Sequence, residues 1–131
     1  MYYEELGLYI SDKVNIAYCI GKVIKTIEIK DDALCLIFND DVRLKIYDDG
    51  QSCCESRYMT CDDDLSLFEG SNFADISLNT VKGATNETED DIHEIMFLDI
   101  HTSIGVFTIC THNEHNGWYG GFNISTCLSE V

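Results

Sequence analysis

Residues Val23–Tyr47 read VIKTIEIKDDALCLIFNDDVRLKIY, and this stretch decides the fold class. Three strand-like runs, Val23–Ile29, Ala33–Phe38 and Val42–Tyr47, are separated by Asp and Asn residues that favour turns. In the first and third runs apolar residues alternate with charged ones, so one face of each strand is expected to pack inward and the other to meet water. The stretch therefore predicts an antiparallel β-meander.

Similar signals continue along the chain. Asp62–Gly70 predicts a short helix, because its Asp residues can cap the start and its glycine can end it. Val14–Ile20 fits a strand or a helical turn equally, and Lys82–Asp91 is predicted to be a polar loop. Further strands are predicted at Cys54–Met59, Phe73–Leu78, Glu94–His101, Val106–Thr111 and Phe122–Cys127. We predict a mainly β (α+β) fold: an antiparallel sheet or partly closed barrel with one or two short helices.

Length and composition predict one soluble domain. At 131 residues, 45% of them hydrophobic, the chain can bury enough apolar surface for a single core, so residues 1–131 are taken as one domain. The formal net charge is −16, which repels nucleic acid polymers but does not exclude a small nucleotide held by an arginine and backbone N–H groups.

The cysteines and the N-terminus predict a reducing compartment. The cysteine count is seven, an odd number, and four of them (Cys19, Cys35, Cys110 and Cys127) lie in apolar, strand-like stretches and are interpreted as buried thiols. No basic segment followed by an apolar run opens the chain, and no run approaches a membrane-spanning length. We expect a cytoplasmic protein without a membrane partner.

The first candidate functional segment is Asp48–Met59, DDGQSCCESRYM. As plain structure it is a turn followed by a half-buried strand, with Cys54 and Tyr58 facing the core and Glu55 and Arg57 outside. As a functional segment it offers Arg57, whose planar guanidinium suits bidentate contact with phosphate.

The second candidate segment is Thr111–Phe122, THNEHNGWYGGF. Its glycines permit positive φ, so backbone N–H groups can converge on a ligand while aromatic rings stack on a flat base. The alternative interpretation is a hairpin turn whose aromatic side chains cover the sheet edge. Taken together, the two segments predict the ligand-binding residues Arg57, Tyr58, Asn113, His115, Asn116, Trp118, Tyr119 and Phe122.

Metal and catalytic sites are less well supported by the spacing. Cys53, Cys54 and Cys61 with His112 and His115 are ligand types that zinc prefers, but the gaps between them are not those of zinc motifs. A nucleophile such as Cys53 or Ser52 would need a histidine brought to it by the fold. We therefore expect no cofactor, no metal and no enzymatic activity, and keep a zinc-stabilised module as an alternative.

The same two strings resemble an uncharacterised family of small phage and prophage proteins, from about Gly21 to Ile124, with tyrosine usual in that family at the position of Trp118. In size and β-rich architecture the chain is also similar to phage sponge proteins, which sequester the cyclic ADP-ribose-type signals of bacterial Thoeris immunity as oligomers. That resemblance implies a homo-oligomer in the host bacterial cytoplasm. It is compatible with the interpretation from the residues, in which Arg57 holds phosphate, Trp118 or Tyr119 stacks on adenine, and Asn113 or Asn116 contacts ribose or base edges.

These observations lead to one expected function and one alternative. We expect a non-enzymatic anti-defence protein that sequesters a nucleotide-type signal, of the cyclic ADP-ribose or cyclic oligonucleotide class, without cleaving it. The alternative, suggested by the charge of −16, is an acidic decoy that binds a host protein.

Overall fold

A computed structural model of the chain describes residues 10–50, 55–79, 85–87, 92–116 and 120–131. Within them one α-helix, nine strands and a short 3₁₀ helix at Leu65–Phe68 follow one another. The helix is α1 (Ile10–Cys19), and the strands are β1 (Ile24–Lys30), β2 (Ala33–Phe38), β3 (Val42–Asp48), β4 (Glu55–Thr60), β5 (Phe73–Asn79), β6 (Thr85–Glu87), β7 (Ile92–Thr102), β8 (Gly105–His115) and β9 (Ile124–Glu130). The prediction of a mainly β, antiparallel fold is confirmed.

The predicted meander forms the first sheet, in the order β1-β2-β3-β9. Leu36 lies between Ile27 on β1 and Leu44 on β3, and all three side chains are buried. The alternation of apolar and charged residues therefore orients these strands as the sequence predicts. β9 closes the sheet by pairing antiparallel with the whole of β3.

The second sheet has the order β4-β8-β7-β5, with β6 paired to β7. Its centre is the long hairpin β7–β8, in which Leu98 lies opposite Ile109. An antiparallel bridge between Val23 and Asn72 links the edge of the first sheet to the start of β5. The described strands thus form two sheets, and the alternative of a partly closed barrel is not adopted.

Both sheets contribute their inward faces to one hydrophobic core. Phe38 of the first sheet meets Phe73 of the second edge to face, with ring centroids 6.0 Å apart. The fully buried side chains of the cluster include Leu34, Leu36, Ile46, Leu98, Ile100, Phe107 and Ile109. Packing across this core fixes how the ends of β3, β4 and β8 approach one another.

The ambiguous N-terminal segment is a helix. α1 buries Ile16 and Cys19 in the core, and the buried carboxylate of Asp12 accepts hydrogen bonds from Thr126 N at 2.6 Å and Thr126 Oγ1 at 2.9 Å. Asn15 Nδ2 also donates to Thr126 Oγ1 at 3.0 Å. The helix is therefore attached to β9 by both apolar and polar contacts. None of the described helices is long and apolar enough to cross a membrane.

Three local predictions need correction. The helix expected over Asp62–Gly70 is only the 3₁₀ turn Leu65–Phe68, capped by the Asp64 side chain. The predicted polar loop Lys82–Asp91 contains β6, and its remaining residues lie outside the described part of the chain. Cys127 is exposed rather than buried, because it faces outward on β9, whereas Cys19 and Cys35 are buried as predicted and Cys110 is intermediate.

Candidate functional site

The two candidate segments are neighbours, because β4 and β8 pair antiparallel. Glu55 lies opposite His115, Arg57 opposite Asn113 and Tyr58 opposite His112. Arg57 Nη2 also approaches Gly120 O at 3.4 Å, beyond the end of β8. The fold therefore brings together two stretches that the sequence leaves unconnected.

The register of β4 is the reverse of the prediction. Glu55 and Met59 are buried, whereas Ser56 and Thr60 are exposed. Tyr58 consequently faces outward and Arg57 inward, into the space between the sheets. A shift of one residue exchanges the two faces of a strand, so the expected roles of Tyr58 and Arg57 are interchanged.

Arg57 is held between two carboxylates. Nη1 donates to Asp48 Oδ1 and Nη2 to Glu55 Oε2, both at 2.8 Å, and the three side chains are 7%, 4% and 1% exposed. Burial lowers the pKa of Arg57, but the hydrogen bonds and charges of Glu55 and Asp48 raise it more, so its pKa lies above the ordinary value. The two Nη groups with which Arg57 is expected to hold phosphate therefore already donate to carboxylates.

The same contact joins the two sheets. Asp48 ends β3 of the first sheet, and its Oδ1 also accepts the N–H groups of Gly50 at 3.0 Å and Asn123 at 3.1 Å. A Cβ on Gly50 would lie 2.7 Å from the Cζ atom of Arg57, so only glycine lets the guanidinium approach this turn. Arg57 thus fixes the end of one sheet against the other.

Buried amide and hydroxyl groups complete this region. Asn113 Nδ2 donates to Glu55 Oε2 at 2.9 Å and to Gly121 O at 3.0 Å. Asp48 Oδ2, Thr111 Oγ1 and Asn113 Oδ1 are buried without a hydrogen-bond partner in the described part of the chain. We call Asp48, Glu55, Arg57, Thr111 and Asn113 the inter-sheet polar cluster.

Glu94 and His115 lie at the border of this cluster. His115 Nε2 and Glu94 Oε1 are 2.6 Å apart, and the His115 side chain is only 3% exposed. Glu94 Oε1 also accepts Gly121 N at 3.1 Å. Gly120 has φ +146°, which L side chains rarely adopt, and a Cβ there would lie 2.6 Å from Glu94 Oε1, so a larger residue would strain the backbone and displace this carboxylate.

On the outward face of the second sheet, a different group of side chains surrounds Tyr58. The rings of Tyr58 and His112 stack with centroids 4.5 Å apart, and His112 Nδ1 lies 2.8 Å from His93 Nε2. His112 Nε2 lies 2.8 Å from Thr60 Oγ1. Burial lowers the pKa of His112 and the nearby His93 lowers it further, although Glu114 opposes them. The hydrogen bond from Tyr58 to Glu114 Oε2 at 2.7 Å, together with burial, raises the pKa of Tyr58 to about 12.

The remaining predicted ligand-binding residues are dispersed. Asn116 is exposed just after β8, and Phe122 is half-buried against the core. Trp118 and Tyr119 lie outside the described residues, as do Ser52, Cys53 and Cys54. Within the described ranges no three His, Cys, Asp or Glu side chains form a group able to hold a metal ion.

The sequence interpretation missed Asp48, Glu55, Thr111 and Glu94. A usable signal was present, because Phe107, Ile109 and Thr111 alternate inward along β8, and the same period continues to Asn113 and His115. The sequence analysis predicts a turn directly after Thr111, whereas β8 continues to His115. Extending the period would have placed Asn113 and His115 inside.

The comparisons with known proteins give a family but no activity. A family model described as a domain of unknown function, DUF7448, matches residues 17–124, which is more than half of the chain. Neither the curated proteins nor the solved structures gave a match. The match covers α1 from Ala17 and every strand up to the first residue of β9, and so includes the whole inter-sheet polar cluster. The chain therefore belongs to the DUF7448 family.

Proposed function

We propose that the protein is a non-enzymatic binding protein that sequesters a nucleotide-type small molecule at the inter-sheet polar cluster. The observation that carries this proposal is the set of three buried acceptor atoms, Asp48 Oδ2, Thr111 Oγ1 and Asn113 Oδ1, that lack a hydrogen-bond partner within the described ranges. A buried polar atom without a partner costs about 1–3 kcal/mol, so a ligand that supplies donors is favoured there.

The negative charge of the inter-sheet polar cluster determines which groups of a ligand it can bind. Asp48 and Glu55 carry two negative charges against the one positive charge of Arg57, so the cluster is acidic and suits N–H and O–H donors rather than phosphate. An adenine amino group and ribose hydroxyls are donors of this kind. In this proposal Arg57 positions the two carboxylates and does not touch the ligand's phosphates.

The resemblance to phage proteins supports the class of ligand. We propose an immune signal of the cyclic ADP-ribose or cyclic oligonucleotide class, bound in the host bacterial cytoplasm and released unchanged. Oligomerisation belongs to the same proposal, and analytical ultracentrifugation of the purified chain measures it directly.

Calorimetric titration with cyclic ADP-ribose isomers and cyclic oligonucleotides tests the proposal, with chromatography of the recovered ligand to show that it is intact. Thr111→Val is the informative variant, because Oγ1 has no partner within the described part of the protein and its removal leaves the internal hydrogen bonds in place. We expect about tenfold weaker binding with unchanged or increased stability.

Thr108→Val is the matched control. Thr108 lies on the same strand but faces outward, where its Oγ1 donates to Asp99 Oδ1 at 2.7 Å. It is expected to lower stability slightly and leave binding unchanged. Equal binding by wild type and Thr111→Val, or no heat with any of these ligands at tens of micromolar protein, would refute the proposal.

The acidic-decoy alternative is favoured by the net charge of −16. It predicts a basic host protein that is recovered with the chain from lysate in stoichiometric amount and is indifferent to Thr111→Val. Arg57→Ala does not separate the two functions, because removal of Arg57 disturbs the buried ion pairs that join the sheets.

A further inference from the structure

The outward face of the first sheet contains a cavity of about 200 Å³. Three of its lining residues are basic, although the chain as a whole is strongly acidic. The lining residues are Glu28, Lys30, Asp31, Cys35, Arg43 and Lys45. We call this the basic cavity. None of these residues belongs to the inter-sheet polar cluster.

Strand alternation and side-chain length build the basic cavity. Arg43 and Lys45 face outward from β3, since Leu44 and Ile46 between and beside them are buried. Cys35, on the middle strand, lies directly between Glu28 on β1 and Lys45 on β3. The two outer strands are about 10 Å apart, so a short side chain between long ones leaves a depression in the sheet surface.

The cations of the basic cavity are not neutralised by ion pairs. The sequence has 8 basic residues against 24 acidic ones, and three of the 8 converge here. Lys30, Arg43 and Lys45 form no ion pair with any residue in the described ranges, whereas Lys22 and Lys25 pair with aspartates. The cations therefore remain available to a ligand.

The thiol at the floor of the cavity is surrounded by these charges. Burial raises the pKa of Cys35 and Glu28 raises it further, whereas Arg43, Lys45 and Lys30 lower it. All three cations therefore lie close enough to act on the same point in the cavity. Lys45 Nζ is additionally held over the Tyr47 ring, 4.8 Å from its centroid, which limits where that ammonium group can move.

We propose that the basic cavity binds a small phosphate-bearing anion through Arg43, Lys30 and Lys45. The planar fork of Arg43 can make two parallel hydrogen bonds to one phosphate, and the lysines add point charges from two sides. Sites for drug-sized ligands have volumes of about 300–1,000 Å³. The smaller cavity fits one phosphate or a pyrophosphate group better than a complete nucleotide, so this is a site separate from the function proposed above.

Substitutions of Glu28 and Arg43 should change anion binding in opposite directions. The Glu28 carboxylate lines the same cavity and repels an anion, so Glu28→Gln should bind pyrophosphate more tightly than the wild type. Arg43→Gln should bind it about tenfold more weakly or worse. Both variants should melt as the wild type does, because neither residue forms an ion pair within the described part of the chain.

The experiment is calorimetric titration of the full chain with pyrophosphate at low salt in a phosphate-free buffer. Lys25→Gln is the matched control, since Lys25 is exposed on β1, pairs with Asp41 at 3.7 Å and lies outside the cavity. We expect Lys25→Gln to bind as the wild type, and binding to weaken as salt is added. Sulfate and acetate in place of pyrophosphate measure how far the site distinguishes a polyphosphate from other anions.

Three outcomes would overturn the proposal. Wild-type protein with a dissociation constant weaker than about 1 mM for pyrophosphate would show that there is no useful site. Unchanged binding by Arg43→Gln would remove the residue on which the site is built. An equal loss with Lys25→Gln and Arg43→Gln would show that only net charge matters.

Discussion

Replacement of Arg57 by methionine should destabilise the protein far more than replacement of any exposed cation. Methionine has a similar length and no charge, so the change leaves Asp48 and Glu55 as buried carboxylates without their counter-ion. Removing one partner of a buried ion pair costs about 3–5 kcal/mol. Here two carboxylates lose the same partner, each at 2.8 Å.

The remaining donors place the expected cost at the lower end of that range. Asp48 Oδ1 keeps the N–H groups of Gly50 and Asn123, and Glu55 Oε2 keeps Asn113 Nδ2. We therefore expect Arg57→Met to lower the free energy of unfolding by about 3 kcal/mol. For a chain of this length that corresponds to a melting temperature lower by about 10–12 °C.

Urea denaturation and thermal melting of wild type and variants provide the measurement. Arg43→Met is the matched control, because Arg43 forms no ion pair within the described residues, and its effect should stay within about 0.5 kcal/mol. The triple variant Arg57→Met, Asp48→Asn, Glu55→Gln removes the stranded charges and should recover most of the lost stability. A loss below about 1 kcal/mol for Arg57→Met, or a triple variant no more stable than the single one, would refute the reasoning.

Three further predictions concern single groups. Gly120→Ala should destabilise more than Gly121→Ala in urea denaturation, because both have positive φ but only the first adds a Cβ 2.6 Å from a carboxylate oxygen. Glu114→Gln should lower the pKa of Tyr58 from about 12, seen as earlier phenolate absorbance in a spectrophotometric titration against a Tyr58→Phe blank. The pKa of His112 is lower in the folded chain than its ordinary value of 6.5. The stability that neutral His112 contributes is therefore complete above pH 6.5 and is lost as the pH falls through the folded pKa. His112→Gln should flatten the dependence of the unfolding free energy on pH, and an unchanged slope would contradict this reasoning.

Local sequence signals predicted the fold where neighbours in the chain are neighbours in the sheet. The meander β1–β3 and the hairpin β7–β8 are of this kind, since short turns connect strands whose apolar residues alternate. The predicted hairpin ended at Thr111, but β8 continues to His115. The period of two persists there with polar side chains, which are tolerated inside because Glu55, Glu94 and Gly121 supply hydrogen-bond partners.

The orientation of β4 was not predictable from its own sequence. Hydrophobicity favours Tyr58 inside and Arg57 outside, and the structure has the opposite arrangement. The deciding partner is Asp48, which comes from the other sheet and is brought to Arg57 by packing of the core. A contact between two sheets does not change the alternation of apolar and polar residues in either strand. That alternation therefore cannot predict which face of β4 turns inward.

The two arginines show how the fold assigns different tasks to the same side chain. Arg57 faces inward, where its two Nη groups already donate to carboxylates, and its removal should lower stability by about 3 kcal/mol. Arg43 faces outward beside a cavity with two lysines, where it has no ion pair within the described ranges and its removal should leave stability unchanged. Since hydrogen-bonding capacity that is used internally is not available to a ligand, the arginine without an ion pair is the one to expect in anion recognition. The sequence analysis favours Arg57 as the anion-binding residue because reactive side chains surround it in the chain. The structure favours Arg43 for that role, because Arg43 forms no ion pair within the described ranges.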